Sequence, residues 1–333
     1  MKVAILGLGF MGSTHLRAAR EAPGVEVAAV CSGDERKLAG DLTAVGGNIG
    51  APGASVDLSG VSKYRRIADA LADPAIDAVD ICLPTDLHER VATDALRAGK
   101  HVLVEKPMAL DGASADRMIT EAERSGRILM TAQVVRFFPA YEALRDAACG
   151  GALGPIRAGV FRRRCAVPDW SGWLGDPARS GGGLFDLLIH DMDACLHTFG
   201  APEAVSATGW KDLLTAQLFY RDGVVIAITG GWFPGPLPFS AGYTMAFEGG
   251  TVELAAGEVT VWARSGDAAG GILEKARRSA DGYAAEIAYF AECANAGKRP
   301  ERCPPRESAD AVKGMLLLLE ARKRNGEKIA WKL

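Results

Sequence analysis

The sequence predicts an α/β Rossmann domain with a parallel sheet, followed by a C-terminal α+β domain with a large, mainly antiparallel open sheet. Three observations carry this expectation. Short apolar runs alternate with helical stretches through the first third of the chain, the pattern of a doubly wound parallel sheet. The glycine pattern Gly7-Leu8-Gly9-Phe10-Met11-Gly12 lies directly between the first apolar run and the first helical stretch. In the second half, strand-like runs are joined by turns such as Arg221-Asp222-Gly223 and Glu248-Gly249-Gly250, as in an antiparallel sheet.

Val3–Leu6, Val25–Cys31, Ala78–Leu83 and His101–Val104 are largely apolar segments of strand length, which suits strands covered on both faces. Ser13–Glu21, Ile67–Leu71 and Glu89–Ala98 read as helices, the last closed by Gly99. Asn48–Ser62 is glycine-rich and weakly periodic, so an extended loop is expected between the second and third strands. A helix over Ala113–Ser125 leads to a fifth strand, Ile128–Val135. Further strands are expected at Ile156–Cys165, Ala204–Thr208, Ala216–Tyr220, Val224–Thr229, Tyr243–Glu248, Thr251–Ala255 and Val259–Ala263. Helices at Leu184–Phe199, Tyr283–Ala296 and Ser308–Arg324 complete the second domain.

A chain of 333 residues with 48% hydrophobic content is long enough for two domains. Its formal net charge of −3 provides no broad basic field, so nucleic acid is not an expected ligand. The seven cysteines lack CxxC spacing, which argues against a zinc site and a disulfide framework and fits a reducing cytoplasm. Val3–Leu6 is too short for the core of a signal peptide, and no run has membrane-spanning length.

In its strand–turn–helix context the GxGxxG pattern predicts a dinucleotide site formed by Gly7, Gly9, Phe10, Met11 and Gly12. Gly7 permits the turn, Gly9 lets backbone approach a pyrophosphate, and Gly12 lets helix pack on strand. Ser32 stands where an acidic residue would hold the ribose hydroxyls of NAD. A hydroxyl there tolerates a 2′-phosphate, and Arg36 or Lys37 can pair with it, so NADP is favoured over NAD. Asp34, two residues on, keeps NAD open if it turns inward.

The run His101-Val102-Leu103-Val104 stops at Glu105-Lys106-Pro107. Charge just past the carboxyl end of a parallel strand lies where open α/β sheets bind ligands, and proline constrains Lys106 and permits a cis bond. In the second domain Gly181-Gly182-Gly183 precedes Asp186, His190, Asp193 and His197, whose spacing places all four on one helix face. That face suits a substrate site, a divalent metal or a solvated stripe. The set lacks a diagnostic metal spacing, so no metal is expected, and the glycines favour a site because they let a ligand approach backbone. Trp170 and Trp173 suit stacking on a sugar or anchoring to the core. Of Arg162, Arg163 and Arg164, strand alternation sends two to one face and one to the other.

These pieces together resemble the glucose-fructose oxidoreductase, inositol dehydrogenase and rhizopine-catabolism (Gfo/Idh/MocA) family over essentially the full chain. The matching segments are Gly7–Gly12 followed by His15, Leu83–His88, Gly99–Pro107, and Gly181–Gly183 leading to Asp186, His190 and Asp193. The resemblance implies that Lys106 is the catalytic lysine and that Asp186 and His190 are the substrate-side acid and the general base. It implies that Pro84, Thr85, His88 and Glu105 line the nicotinamide half of the cofactor, with Thr85 departing from the asparagine often found there. Residues 1–130 are then the dinucleotide-binding domain and 131–333 the substrate-binding and oligomerisation domain.

The implied reaction is hydride transfer between NAD(P) and a secondary alcohol or ketone of a sugar, cyclitol or related polyol. In it His190 takes the hydroxyl proton while Lys106 stabilises the developing alkoxide. Asp186 orients Lys106 or His190, or binds a neighbouring hydroxyl. An NAD-dependent glycosidase of the same fold and a catalytically silent cofactor sensor are the competing readings. A homodimer or homotetramer through the C-terminal sheet is implied, with no membrane partner.

Overall fold

The computed structural model describes residues 1–47, 53–264, 266–277 and 281–332. The chain packs into two compact units. One comprises Met1–Val134, Pro168–Ser180 and Asp281–Ala309; the other comprises Val135–Val167, Gly181–Ala280 and Asp310–Leu333.

The first unit is built on β1 (Lys2–Leu6), β2 (Glu26–Cys31), β3 (Ser62–Tyr64), β4 (Ala78–Ile81), β5 (His101–Glu105) and β6 (Leu129–Ala132). They form one sheet in the order β3-β2-β1-β4-β5-β6, with every pair parallel. Ile5, Leu6, Ile81 and Leu103 are fully buried, as strands covered on both faces require. The helices Phe10–Glu21, His88–Arg97 and Gly112–Ser125 follow β1, β4 and β5, and the last ends where Gly126 turns left-handed.

β3 begins at Ser62, where the sequence predicts the end of a loop, and residues 48–52 of that loop lie outside the described residues. Its three residues, Ser62-Lys63-Tyr64, are polar, the first two exposed and Tyr64 half-buried, because it is the sheet edge, so no apolar run announces it. A single helical turn at Glu35–Leu38 is likewise too short to leave a periodic pattern.

The second unit carries β7 (Ile156–Ala166), β8 (Ala204–Gly209), β9 (Leu213–Phe219), β10 (Val225–Phe233), β11 (Ser240–Phe247), β12 (Gly250–Ala255), β13 (Glu258–Ala263) and β14 (Ile329–Ala330). Their order is β13-β12-β11-β7-β10-β9-β8-β14. All neighbours are antiparallel except β7 and β10, which run side by side in the same direction. Along β7, Phe161, Arg163 and Cys165 are buried while Arg162 and Arg164 are exposed, so the arginine run divides by strand alternation. The helix Pro139–Cys149 escapes sequence reading because its buried positions include Ala143 and Ala147, which give little apolar contrast. Another unexpected helix, Gly266–Ala276, contains Gly270 and Gly271 against helix propensity and is held by packing on β13 and Pro139–Cys149.

Backbone proximity fixes the first turn of the Rossmann unit. Gly7 has φ of +97°, and a Cβ on Gly12 would lie 1.8 Å from the Gly7 carbonyl oxygen. The helix therefore rests on β1 only because position 12 has no side chain. Gly12→Ala is expected to cost at least roughly 1–3 kcal/mol, the usual penalty of overpacking, measured as a lowered denaturant midpoint.

Candidate active site

At the carboxyl end of β1, Gly9 caps the helix Phe10–Glu21 with no side-chain hydrogen bond. A Cβ on Gly9 would meet nothing within 4 Å, unlike one on Gly7 or Gly12. The first-turn amides of an α-helix have no intrahelical acceptor, so this open backbone end fits a pyrophosphate. Phe10 and Met11 are half-buried beside it.

Past β2, the Ser32 hydroxyl accepts a hydrogen bond from the Asp34 amide at 3.1 Å. Asp34 does not turn inward: its carboxylate caps Glu35–Leu38 by accepting from the Arg36 and Lys37 amides. Arg36 pairs with Asp41 at 2.8 Å, whereas the Lys37 ammonium has no partner among the described residues.

Past β4 come half-buried Pro84 and buried Thr85, which opens a single turn to Leu87. His88 is buried, with Nδ1 2.9 Å from the Pro107 carbonyl and Nε2 2.9 Å from the Leu83 carbonyl. It thus ties the chain leaving β4 to the chain leaving β5. Burial pushes its pKa down, with the two carbonyls opposing.

Past β5, Lys106 is half-buried and its bond to Pro107 is cis. Glu105 is buried, and its Oε2 accepts the Lys106 amide at 2.9 Å. Its Oε1 lies 3.0 Å from His15 Nε2. Burial opposes its ionisation, yet His15 and the Lys106 charge hold its pKa below the ordinary glutamate value. The side chains of His88 and Glu105 therefore make their contacts within the unit, behind the Lys106–Pro107 segment. Asp80 and Glu286, which also face His15, are missed by sequence reasoning. The signal is present in both: a carboxylate inside the apolar run Ala78-Val79-Asp80-Ile81, and another within the largely apolar helix Gly282–Ala296.

In the second unit, Leu184–Leu188 forms a wide π turn that runs into the helix Ile189–Phe199. Such a turn inserts a residue and rotates the later part of the helix relative to the earlier part, and it recurs at functional sites. From Gly182 to Leu196 every residue is buried except Asp186 and His190, which are partly exposed. The Trp232 indole donates to Asp186 Oδ2 at 3.3 Å.

The expected four-residue face is therefore divided. Asp193 is buried and accepts two hydrogen bonds from Arg136, at 2.6 and 2.8 Å, and Arg136 Nη1 also donates to His197 Nδ1 at 3.1 Å. Asp191 is held in the same way by Arg163 of β7, at 2.8–3.1 Å, and Arg163 also donates to the Tyr141 hydroxyl. Burial opposes the Arg163 charge, but the Asp191 carboxylate outweighs it and raises the guanidinium pKa further.

The glycines ahead of this helix also have a different reason from the one expected. A Cβ on Gly182 would come within 2.6 Å of Asp212 Oδ1 and one on Gly183 within 2.8 Å of the Trp232 ring, so the protein itself fills these positions. Trp170 packs beside Gly46, whose Cβ would stand 3.0 Å from it.

Residues 1–133 match the family model described as "Oxidoreductase family, NAD-binding Rossmann fold", and residues 141–251 match the GFO/IDH/MocA C-terminal domain. The chain belongs to the Gfo/Idh/MocA family. Within it, the chain is 37% identical over 138 residues to 1,5-anhydro-D-fructose reductase of Ensifer adhaerens, covering 40% of this chain and 41% of that protein. It is 29% identical over 239 residues to D-apiose dehydrogenase of Paraburkholderia graminis, covering 68% and 59%. The chain spans about half the length of the curated relatives it matches. Among solved structures, the WlbA dehydrogenase of Bordetella pertussis, in complex with NADH and UDP-GlcNAcA, superposes with a TM-score of 0.84 at 20% identity, covering 100% and 98% of the two chains. That likeness establishes the shared fold.

Removing Asp191 would strand a buried guanidinium. Asp191→Ala is expected to lose roughly 3–5 kcal/mol in chemical denaturation, whereas the double variant Arg163→Met/Asp191→Leu loses less because no charge is left unpaired.

Proposed function

We propose that the protein is an NAD(P)-dependent oxidoreductase that moves a hydride between nicotinamide and a secondary alcohol or ketone of a sugar, cyclitol or related polyol. One observation carries this reading. The glycine loop follows β1, Pro84-Thr85 follows β4 and Lys106 follows β5, so all three lie at the carboxyl edge of adjacent strands in one parallel sheet. That edge is where doubly wound sheets bind ligands. The reductase and dehydrogenase relatives named for a sugar support the substrate class.

In this reading Gly7, Gly9, Phe10, Met11 and Gly12 hold the pyrophosphate, and Pro84, Thr85 and Lys106 flank the nicotinamide half. His88 and Glu105 belong to that half by supporting Lys106. The bound cofactor supplies a hydride acceptor in the oxidative direction and a donor in the reverse. His190 takes the proton of the reacting hydroxyl, a task suited to imidazole because histidine titrates near neutral pH. Lys106 stabilises the negative charge that develops on the same oxygen. Asp186, steadied by the Trp232 indole, orients the reacting group. For ketone reduction His190 returns the proton.

NADP is the preferred cofactor in this proposal. Asp34 is spent as a helix cap, so no carboxylate from that residue meets the ribose, and Ser32 with Lys37 suits a 2′-phosphate. Seven cysteines without a disulfide support a reducing cytoplasm. The exposed face of the large sheet, with Arg162, Arg164 and Gln217, is proposed to pair copies into a dimer or tetramer.

A screen of polyols, sugars and keto-sugars with both cofactors, followed by nicotinamide absorbance, tests the reaction; no turnover with any CH–OH or keto substrate would reject it. Lys106→Ala and His190→Ala are each expected to lower kcat by roughly 10²-fold or more while NADPH binding is kept. Near-normal turnover in both would remove these assignments. Ser32→Asp is expected to raise the KM for NADP by roughly tenfold, the effect of about 1.4 kcal/mol of like-charge repulsion, with little change for NAD. A wild-type preference for NAD would overturn the cofactor assignment.

A further inference from the structure

The first unit buries a charge cluster of which the proposed reaction gives a role to Glu105 alone. His15 lies on the helix that opens at the dinucleotide loop and is completely buried. Its Nδ1 is 2.8 Å from Asp80 Oδ2, and Asp80 Oδ1 receives the Cys82 thiol at 3.5 Å. Its Nε2 faces Glu105 Oε1 at 3.0 Å, close enough for strong attraction though off the line of an ideal hydrogen bond. The same nitrogen is 3.9 Å from Glu286 Oε1, on the helix Gly282–Ala296. The Tyr283 ring of that helix stands 6.0 Å away.

We propose that His15 is a positioning residue for the reaction: its ring bridges Asp80 and Glu105, and through Glu105 it fixes the backbone of Lys106. The inference rests on the assignment of Lys106 above. The chain of contacts is short. His15 Nε2 holds Glu105 Oε1, and Glu105 Oε2 accepts the Lys106 amide at 2.9 Å. A rigid carboxylate with both oxygens engaged sets the direction in which the next residue leaves β5.

The charges require His15 to be an imidazolium. A neutral ring carries one N–H and cannot serve carboxylates on both sides. Burial disfavours the cation, but the Asp80 carboxylate outweighs it, and the His15 pKa is raised well above its ordinary value. One cation cannot offset three buried carboxylates, so a proton must be kept on one of them. Glu286 keeps it: neither of its oxygens has a hydrogen bond among the described residues, and burial drives its pKa well above the ordinary 4.5. The donor atoms of His15, Asp80 and Cys82 lie within 4.8 Å of one another. The 2.8 Å His15–Asp80 contact is a closed hydrogen bond that holds a proton between the two groups.

The placement of Glu286 has a consequence for pH. When ionised it competes with Glu105 for His15 Nε2, which frees Glu105 and loosens Lys106. The groups facing His15 are Asp80 within β4 and Cys82 just after it, Glu105 at the end of β5 with Lys106 next to it, and Tyr283 and Glu286 from the helix, with Asp281 at its start. A raised acid pKa means that the proton is held as pH climbs past the ordinary glutamate value and is lost only at the higher folded value. Turnover should therefore decline on the alkaline side as Glu286 ionises.

Two measurements test this. With only five histidines in the chain, ring ¹⁵N spectra of the intact protein can be assigned by substitution. Two protonated nitrogens on His15 at about pH 7.5 are expected, above the ordinary histidine value; a neutral ring overturns the proposal without any substrate. For turnover, the substrate returned by the screen is used with the matching cofactor form, NADP⁺ for an alcohol or NADPH for a ketone. His15→Gln is expected to lower kcat about 10- to 100-fold, as displacement of a reacting group by about 1 Å does, with KM and NADPH affinity within about threefold. Glu286→Gln is expected to move the alkaline decline of kcat to higher pH. Unchanged kcat per folded site in His15→Gln, with a superimposable pH profile in Glu286→Gln, overturns the proposal. Lys106→Ala run in parallel separates the two readings. If it is inactive while His15→Gln is normal, only the positioning role fails; if it is active, the assignment of Lys106 fails first.

Discussion

A charge removed from water is tolerated only where its partners are already in place, and both units of this protein are organised by that constraint. In the second unit Arg163 and Arg136 reach Asp191 and Asp193, the neighbours of His190 at positions one and three residues on. Two bidentate contacts leave the helix Ile189–Phe199 little freedom to rotate, so the orientation of His190 is set by the buried ion pairs of Asp191 and Asp193. In the first unit the anchor is His15, whose partners come from β4, β5 and a helix nearly two hundred residues further along the chain. In both units a partly exposed polar group stands beside buried ones that determine where it points.

Most of the fold is legible in the sequence because burial on both faces leaves an apolar run, unbroken in β1, β2 and β5 and interrupted in β4 by Asp80 alone. The elements that escape have little apolar contrast to offer: a three-residue polar edge at β3, a helix whose buried face is partly alanine, and a glycine-containing helix held by its neighbours. Lys106 is legible for the opposite reason, as charge immediately after an apolar run.

The division of the Asp186–His197 face is not legible. By spacing alone Asp186 and Asp193 are equivalent. They are distinguished by Arg136, 57 residues away in sequence from Asp193, and by a wide turn that changes the helical phase between the two. The same limit applies to the glycines. Gly9 and Gly12 belong to one motif, yet the first faces open space and the second makes room for the protein's own carbonyl. Identical residues in a pattern serve different neighbours, and only the fold supplies the neighbours.

The parallel pairing of β7 with β10 sets the second unit apart from a simple meander. Two strands that run in the same direction cannot be joined by a hairpin; the chain must leave one end of the sheet and return to the other. Here the return route passes through the Asp186–His190 segment, then β8 and β9, before β10 lies down beside β7. The segment assigned to proton transfer is thus also part of the crossover that the topology demands. Shortening it would disturb the route by which β10 reaches β7, whereas loops outside the crossover can change length without re-threading the sheet.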